Sequence, residues 1–238
     1  MQARNSDIEV ITKSSEKTLF IINLKNYEEI SDSNSSRLAE AAYKIAKKHG
    51  TKIVVCPPNH LISEVAKLPV TVFAQHVDNA KVGSTTGFTV PELLKKSKVQ
   101  GSLINHSEHR IPQHEIEEIV PRLKSLGMIS VVCVKDVEEA AKYAKLGPDY
   151  IAIEPPELIG SGKAVSKEKP EVITDSVSAV KNAKNSTRLL CGAGIVSGDD
   201  VAKALQLGAD GILVASGIVK AKDWEKTIEE FALAFTRT

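Results

Sequence analysis

The sequence lacks any apolar stretch that approaches the roughly 18 residues of a membrane-spanning helix. Its first 17 residues also lack the apolar core of a secretory signal. Charge of one sign is not in excess, because 31 Lys and Arg residues stand against 30 Asp and Glu residues. We therefore expect a cytoplasmic protein with no membrane partner and no nucleic-acid partner held by bulk charge.

Cysteine is scarce, and the three residues are Cys56, Cys133 and Cys191. Their number is odd and each ends an apolar run, so we expect reduced thiols in the core rather than a disulfide framework. No low-complexity linker or change of composition divides the chain. We therefore predict one domain over residues 18–238, preceded by a loosely ordered polar extension at 1–17.

Short apolar runs recur along the chain and alternate with amphipathic segments. The runs span residues 19–24, 52–56, 69–74, 102–105, 129–134, 150–154, 188–192 and 211–216. The clearest helical patterns span residues 35–50, 136–147, 197–208 and 221–235. The runs are apolar almost throughout, as in strands that are buried on both faces. Eight such strands with intervening helices favour a (β/α)8 barrel over a doubly wound sheet.

The ends of these runs are where the sequence becomes polar. Asn23 and Lys25 follow the first run, His106 follows the fourth, and Glu154 closes the sixth. Side chains two positions apart in an extended chain share a face, so Asn23 and Lys25 are expected to point the same way. Because (β/α)8 enzymes carry their active sites at the carboxyl ends of the strands, these residues are candidates for catalysis.

Glu154 ends an apolar run and is followed at once by two prolines and a glycine-rich loop, in the stretch AIEPPELIGSGKAVS. A carboxylate held against an apolar wall accepts a proton more readily than one in water, which suits a general base. The prolines stiffen the hinge, while Gly160 and Gly162 permit close approach to a ligand. We interpret residues 155–165 as a lid over the base.

His106 comes just after an apolar run, in the stretch INHSEHR. If a helix begins near Ser107, its dipole and free amides disfavour a charged ring, and a neutral imidazole can donate to a substrate oxygen. A metal site built from His106, His109, His114 and Glu115 has no recognised spacing, so we expect no metal.

Two glycine-rich turns, at 191–200 and 211–223, precede helical patterns near the end of the chain. Exposed backbone N–H groups in such turns bind anions, and phosphate commonly binds after the last two strands of a barrel. Gly192, Gly194 and Gly198 do not keep the spacing of a dinucleotide fingerprint, so that alternative is disfavoured.

Together these motifs resemble the triosephosphate isomerase family, and most of all its short archaeal branch. The resemblance covers about residues 19–236 and rests on NLK, NHSEHR, IEPPELIGSG, GAGI and VASG, in that order. It implies a TIM barrel that interconverts dihydroxyacetone phosphate and D-glyceraldehyde 3-phosphate through an enediolate, in glycolysis and gluconeogenesis. It implies no metal and no organic cofactor.

The resemblance also implies a role for each matching residue. Glu154 becomes the base and His106 the electrophile, while Lys25, with Asn23 beside it, binds substrate and steadies the enediolate. Glu108 becomes the supporting acidic residue. The residues implied to bind the substrate phosphate through their backbones are Ile159, Gly160, Gly194, Ala215 and Ser216.

A homo-oligomer, dimer or tetramer, is implied by the loop GSTTGF at 83–88, which matches the loop that reaches the neighbouring subunit's site. Thr86 is its residue nearest the catalytic groups. His109 departs from the family, in which Arg is more usual, and this change bears on the support of Glu108.

Two alternatives remain open at this level. One is another phosphate-binding barrel, such as an indole-glycerol-phosphate synthase or a prenyl-glyceryl-phosphate synthase, which shares the glycine-rich half. The other is a non-catalytic barrel that binds phosphosugars. The combination of Asn23, Lys25, His106 and Glu154 favours the isomerase over both.

Overall fold

The computed structural model describes residues 18–160, 162–183 and 185–236, so the extension predicted at 1–17 lies outside the described residues. The strands form one closed parallel barrel in chain order, in which the first strand pairs with both the second and the eighth. The doubly wound alternative is therefore wrong, because such a sheet has two open edges.

All eight predicted strands are present, with ends that differ from the apolar runs by no more than two residues. They are β1 Leu19–Asn23, β2 Ile53–Cys56, β3 Thr71–Ala74, β4 Gly101–Ile104, β5 Ile129–Val134, β6 Tyr150–Ile153, β7 Arg188–Cys191 and β8 Gly211–Val214. The last run stops early because Ala215 (φ −129°, ψ −89°) leaves the extended conformation and a short helix begins at Ser216.

Helices lie on the outside of the barrel and follow every strand. They are α1 Asn34–His49, α2 Ile62–Val65, α3 Pro91–Lys96, α4 Gln113–Ser125, α5 Val137–Ala144, α6 Val165–Glu168, α7 Pro170–Asn182, α8 Gly198–Gln206, α9 Ser216–Val219 and α10 Trp224–Ala234. Side-chain caps fix three of the starts. Asp136 accepts from the backbone of Glu139, Asp223 from that of Lys226, and Ser197 forms a capping box with Asp200.

Each strand contributes to two separate apolar layers. Within β1, Leu19 and Ile21 belong to the cluster that fills the barrel, whereas Phe20 and Ile22 belong to the layer shared with the helices. Alternate side chains of a strand point to opposite faces, and here both faces are buried. That double burial is the physical reason why the strands read as continuous apolar runs.

The three thiols are free and buried, as the sequence predicts. Two of them, Cys56 and Cys133, help to fill the barrel interior, while Cys191 packs in the outer layer. Burial raises the pKa of each thiol, that of Cys191 to about 12. Within the described ranges, no helix has the length and apolar character needed to cross a membrane.

Candidate active site

One pocket lies at the carboxyl ends of the strands and collects most of the candidates. The predicted residues that line it are Asn23, Lys25, His106, Glu154, Ile159, Gly160, Gly194, Ala215 and Ser216. Glu108 lies in an adjoining depression that also contains His106 and His109. Thr86 is exposed on the loop after β3 and does not line the pocket.

Lys25 enters the pocket through a left-handed turn. The strand ends at Asn23, and Lys25 has a φ of +50°, so the extended geometry expected for this pair is wrong. The Asn23 side chain stabilises the turn, since its Oδ1 accepts from the backbone N–H of Lys25 at 3.0 Å. The Lys25 ammonium lies 2.6 Å from Oε1 of Glu108, and its side chain is only 13% exposed. A positive charge is thereby held at the pocket wall.

The segment after His106 is a turn rather than the start of a helix. The expectation of a helix near Ser107 is wrong, because the next helix, α4, begins only at Gln113. Pro112 disfavours a helical conformation at Ile111, so a helix that began at Ser107 would be interrupted there. The turn is closed by the N–H of His109, which donates to the carbonyl of His106 at 2.8 Å.

This turn determines which nitrogen of His106 carries the proton. The backbone N–H of Glu108 lies 3.2 Å from Nδ1 and can only donate to it, so in a neutral ring the proton is on Nε2. Nε2 faces Oε1 of Glu154 at 3.4 Å. The ring therefore directs a hydrogen-bond donor into the part of the pocket that the Glu154 carboxylate also faces.

The charge of His106 depends on its neighbours. Burial lowers the pKa of the ring, but the nearby Glu154 carboxylate raises it by more, and the net pKa lies above the ordinary value. Lys25 acts in the opposite direction and lowers the pKa. The lowered pKa expected from the sequence is therefore wrong for this arrangement, and the reason is the contact between Nε2 and the carboxylate.

Glu154 directly follows β6 and is 3% exposed. Its backbone N–H donates to the carbonyl of Val134 at 2.8 Å, which fixes the residue at the barrel mouth. Oε2 has no hydrogen-bond partner among the described residues. A Cβ on Gly192 would lie 2.5 Å from Cγ of Glu154, so only glycine at that position leaves room for the carboxylate. A buried carboxylate with an unused oxygen is available to accept a proton.

The predicted lid lies against the loop after β7. It contains a 3-10 helix, Pro156–Leu158, followed by Gly160 and Gly162, whose φ values are +68° and +72°. At its far end the chain approaches Gly194 so closely that a Cβ there would lie 1.8 Å from the carbonyl oxygen of Lys163. Glycine is thus required at position 194 for two reasons: its φ is +71°, and the carbonyl of Lys163 leaves no room for a Cβ.

Other pocket residues were not singled out as site residues from the sequence. They include Tyr27, Ile195 and Val196. In the sequence, the only signal for Tyr27 is its position two residues after Lys25. In the structure, the centre of its ring lies 4.8 Å from Nζ of Lys220. Ile195 ends the GAGI motif and Val196 follows it, and neither side chain carries a polar group that would mark it as a site residue. His109, the departure from the family pattern, stacks its ring on His76 with 4.0 Å between centroids.

The chain is similar in sequence to known proteins. The sequence matches the model of the family described as Triosephosphate isomerase over residues 18–231. It is 55% identical over 218 residues to the triosephosphate isomerase of Cenarchaeum symbiosum, a match that covers 92% of this chain and 98% of that protein. It is 46% identical over 216 residues to the enzyme of that name from Sulfolobus acidocaldarius, covering 90% and 93% of the two chains. It is 44% identical over 218 residues to the triosephosphate isomerase of Methanothermus fervidus, a match that covers 90% of this chain and 97% of that protein.

Proposed function

We propose how the pocket residues act, from the premise that the chain belongs to the triosephosphate isomerase family. The protein is an aldose–ketose isomerase that interconverts dihydroxyacetone phosphate and D-glyceraldehyde 3-phosphate, the reaction that the family contributes to glycolysis and gluconeogenesis. The observation that carries the residue roles is the contact between Glu154 and His106, 3.4 Å apart beside the ammonium of Lys25.

Glu154 is the base. It takes a proton from the hydroxyl-bearing carbon next to the substrate carbonyl, which gives an enediolate, and returns the proton to the former carbonyl carbon. The former carbonyl oxygen gains a proton and the neighbouring hydroxyl loses one, which completes the conversion of the ketose to the aldose. Its position in the pocket and its unpaired Oε2 support this role, because no hydrogen-bond donor among the described residues occupies the oxygen that would meet the substrate proton.

His106 and Lys25 stabilise the negative oxygen that develops during this transfer. The Nε2–H of His106 donates to the substrate oxygen, and the ammonium of Lys25 supplies positive charge. His106 donates as a neutral ring, the form in which Nδ1 accepts from the backbone N–H of Glu108 and the proton lies on Nε2. The transfer moves the negative charge from Glu154 to the substrate oxygen, while burial and Lys25 act against a charged ring. Asn23 keeps Lys25 in place through its hydrogen bond to the backbone, and Glu108 supports Lys25 by their ion pair.

The other half of the pocket binds the phosphate. Backbone N–H groups at Ile159, Gly160, Gly194 and Ser216, with Ala215 beside the last, are the proposed donors. The first amides of α9 are not needed for hydrogen bonds within the helix, so Ser216 can offer its N–H to an anion. Residues 155–165 close over the bound substrate and keep water from the enediolate.

We also propose that the protein is a homo-oligomer, a dimer or tetramer, located in the cytoplasm. Loop 83–88 is exposed along its length, and the apolar side chains of Val82 and Phe88 are 54% and 56% exposed at its ends. The depression that contains Glu108 and His109 is the proposed receptor for this loop from a neighbouring copy, with Thr86 approaching the catalytic groups.

The test of the catalytic roles is turnover of glyceraldehyde 3-phosphate by the protein and by Glu154→Asp. The shorter side chain retains the carboxylate but withdraws it by one methylene. We expect kcat to fall by about 10²–10³ with little change in KM, because proton transfer requires near-contact geometry. Glu157→Asp, on the exposed side of the lid, is the matched control and should keep its kcat. A wild-type kcat in Glu154→Asp would refute the role of Glu154.

A further inference from the structure

The segment directly after the lid is attached to the loop after β7 by residues that the chemistry does not use. Ser166 and Lys167 belong to α6, and Asp200 belongs to the first turn of α8. The ammonium of Lys167 lies 2.7 Å from Oδ1 of Asp200. The hydroxyl of Ser166 donates to the backbone carbonyl of Asp200 at 3.3 Å. Two consecutive residues of α6 thus contact a single residue of α8.

Asp200 also holds the backbone that leads from β7 into α8. Its Oδ2 accepts from the backbone N–H of Val196 at 3.1 Å and from that of Ser197 at 3.0 Å. The hydroxyl of Ser197 lies 2.9 Å from the same oxygen. Val196 lines the pocket two positions after Gly194. One carboxylate therefore links the end of the lid, on one oxygen, to the proposed phosphate-binding loop, on the other.

Because the Asp200 carboxylate is buried, its contact with the end of the lid depends on the Lys167 ammonium. The side chain of Asp200 is 1% exposed, and its Oδ1 has no hydrogen-bond partner in the described part of the chain apart from the ion pair with Lys167. Removing the ammonium would leave a buried charged oxygen unpaired. Lys167 itself is 58% exposed, and ion pairs with such exposed members usually add little to stability.

Two further backbone contacts join the end of the lid to the loop after β7. The N–H of Val165 donates to the carbonyl of Ala193 at 3.3 Å. Next to it, the carbonyl of Lys163 occupies the space where Gly194 would otherwise carry a Cβ. A small shift of α6 relative to α8 would alter both contacts, and with them the backbone around Gly194.

We propose that Lys167 and Asp200 are a positioning pair that fixes the C-terminal end of the lid against the phosphate-binding loop. The inference rests on the proposed function, which assigns the lid and that loop to substrate binding. Neither residue touches the reacting atoms. With the pair intact, the lid closes from an anchored end onto a preorganised loop. Without it, substrate must also order α6 and residues 193–197, which weakens binding of the phosphate.

The test uses Lys167→Met, which keeps the aliphatic stem and removes the charge. We expect KM for dihydroxyacetone phosphate, and the inhibition constant of inorganic phosphate, to rise about 3- to 10-fold. The change in kcat should stay within about twofold, because a positioning residue acts on binding common to ground and transition states. Hydrogen exchange of residues 155–165 in the presence of phosphate should become faster. Lys167→Arg should restore all three values.

The control is Lys44→Met, which removes an ion pair of similar length, that of Lys44 with Glu225 at 2.6 Å, on the outer helices. It should change none of these values. The inference is overturned if Lys167→Met leaves KM, phosphate inhibition and lid exchange unchanged, or if Lys44→Met shifts them equally. Failure of the proposed function is a separate result, since the unmodified protein would then show no isomerase turnover, whereas hydrogen exchange of residues 155–165 with and without phosphate does not require turnover.

Discussion

A single imidazole, that of His106, is subject to opposing electrostatic effects. Burial and Lys25 favour its neutral form, while Glu154 favours its charged form, and in the structure the carboxylate prevails. The same three groups are proposed to act on substrate. The proton affinity of His106 therefore depends on whether Glu154 carries its charge, and this dependence can be measured.

We predict that Glu154→Gln lowers the pKa of His106. The substitution removes the charge that raises the pKa, and burial, which lowers it, then dominates. An NMR pH titration of the ring measures the change. Glu108→Gln is the control: its Oε2 is 3.8 Å from Nδ1 and its side chain is 57% exposed, so we expect a smaller decrease. An unchanged pKa in Glu154→Gln would show that the contact does not control the charge of His106.

Asn105 sets the direction of the chain just before His106. It is 1% exposed and has a left-handed φ of +62°, a conformation that Asn tolerates better than most residues. Its Nδ2 donates to the carbonyl of Cys133 at 3.0 Å, and its Oδ1 accepts from the N–H of Ile111 at 3.2 Å. The side chain thus ties the end of β4 to β5 and to the turn that presents His106.

We predict that Asn105→Gly lowers kcat even though glycine accepts the backbone conformation, because both hydrogen bonds are lost. Asn105→Ala should lower kcat as well and should also unfold at lower temperature, since a left-handed alanine adds about 1 kcal/mol of strain or more. Thermal unfolding and steady-state kinetics separate the two effects. Lys98→Gly, at an exposed position with a φ of +65°, should keep its kcat. Wild-type kcat in Asn105→Gly would mean that these hydrogen bonds do not position His106.

The sequence could predict which polar side chains lie at the barrel mouth, because their positions follow from the ends of apolar runs. It could not predict the steric need for glycine at Gly192 and Gly194. Those needs arise from Glu154 and Lys163, which are distant in the chain. The incorrect helix start near Ser107 is different, since Pro112 already carried a local signal against it.

Strands were easier to predict than the segments between them. A strand buried on both faces has a composition that identifies it, and the structure confirms all eight runs. Short helices such as α2, α6 and α9 have too few residues to show a period, and none of these three is predicted by the sequence. The predicted patterns correspond to α1, α5, α8 and α10. The lid falls into this less predictable class, and its behaviour remains a prediction.

We predict that residues 155–165 gain protection from hydrogen exchange when a phosphorylated mimic of the enediolate binds. Trimming this segment while keeping Glu154 should spare the fold, because the barrel strands pair without it. It should lower kcat/KM by about 10² or more and release methylglyoxal, since an enediolate exposed to water can expel phosphate. If the mimic leaves the hydrogen exchange of residues 155–165 unchanged and the trimmed variant releases no additional methylglyoxal, this segment is an ordinary surface loop.

The barrel as a unit is closed by contacts between the two ends of the described chain. β1 pairs with β8, and α1 packs on α10, with Lys48 and His49 of α1 both contacting Glu229 of α10. A complete ring of strands gives the chain its own core and its own pocket. We therefore expect the barrel to fold without a partner copy, and the proposed contribution of assembly is to complete the depression beside Glu108 and His109.

We predict that the protein self-associates through loop 83–88 and that Phe88→Ser weakens this association. The Phe88 side chain is 56% exposed at the end of the loop, and covering such an apolar group with a second copy lowers the free energy of association. Light scattering across a dilution series measures the mass, and the isomerase assay at the same concentrations measures kcat. The mass and kcat of Phe88→Ser should fall together, because the loop of the neighbouring copy is then absent from the site. Phe88→Leu, which keeps an apolar side chain, should retain both the mass and the kcat. A wild-type protein that is monomeric at full kcat would show that each barrel works alone and that loop 83–88 has no part in the site.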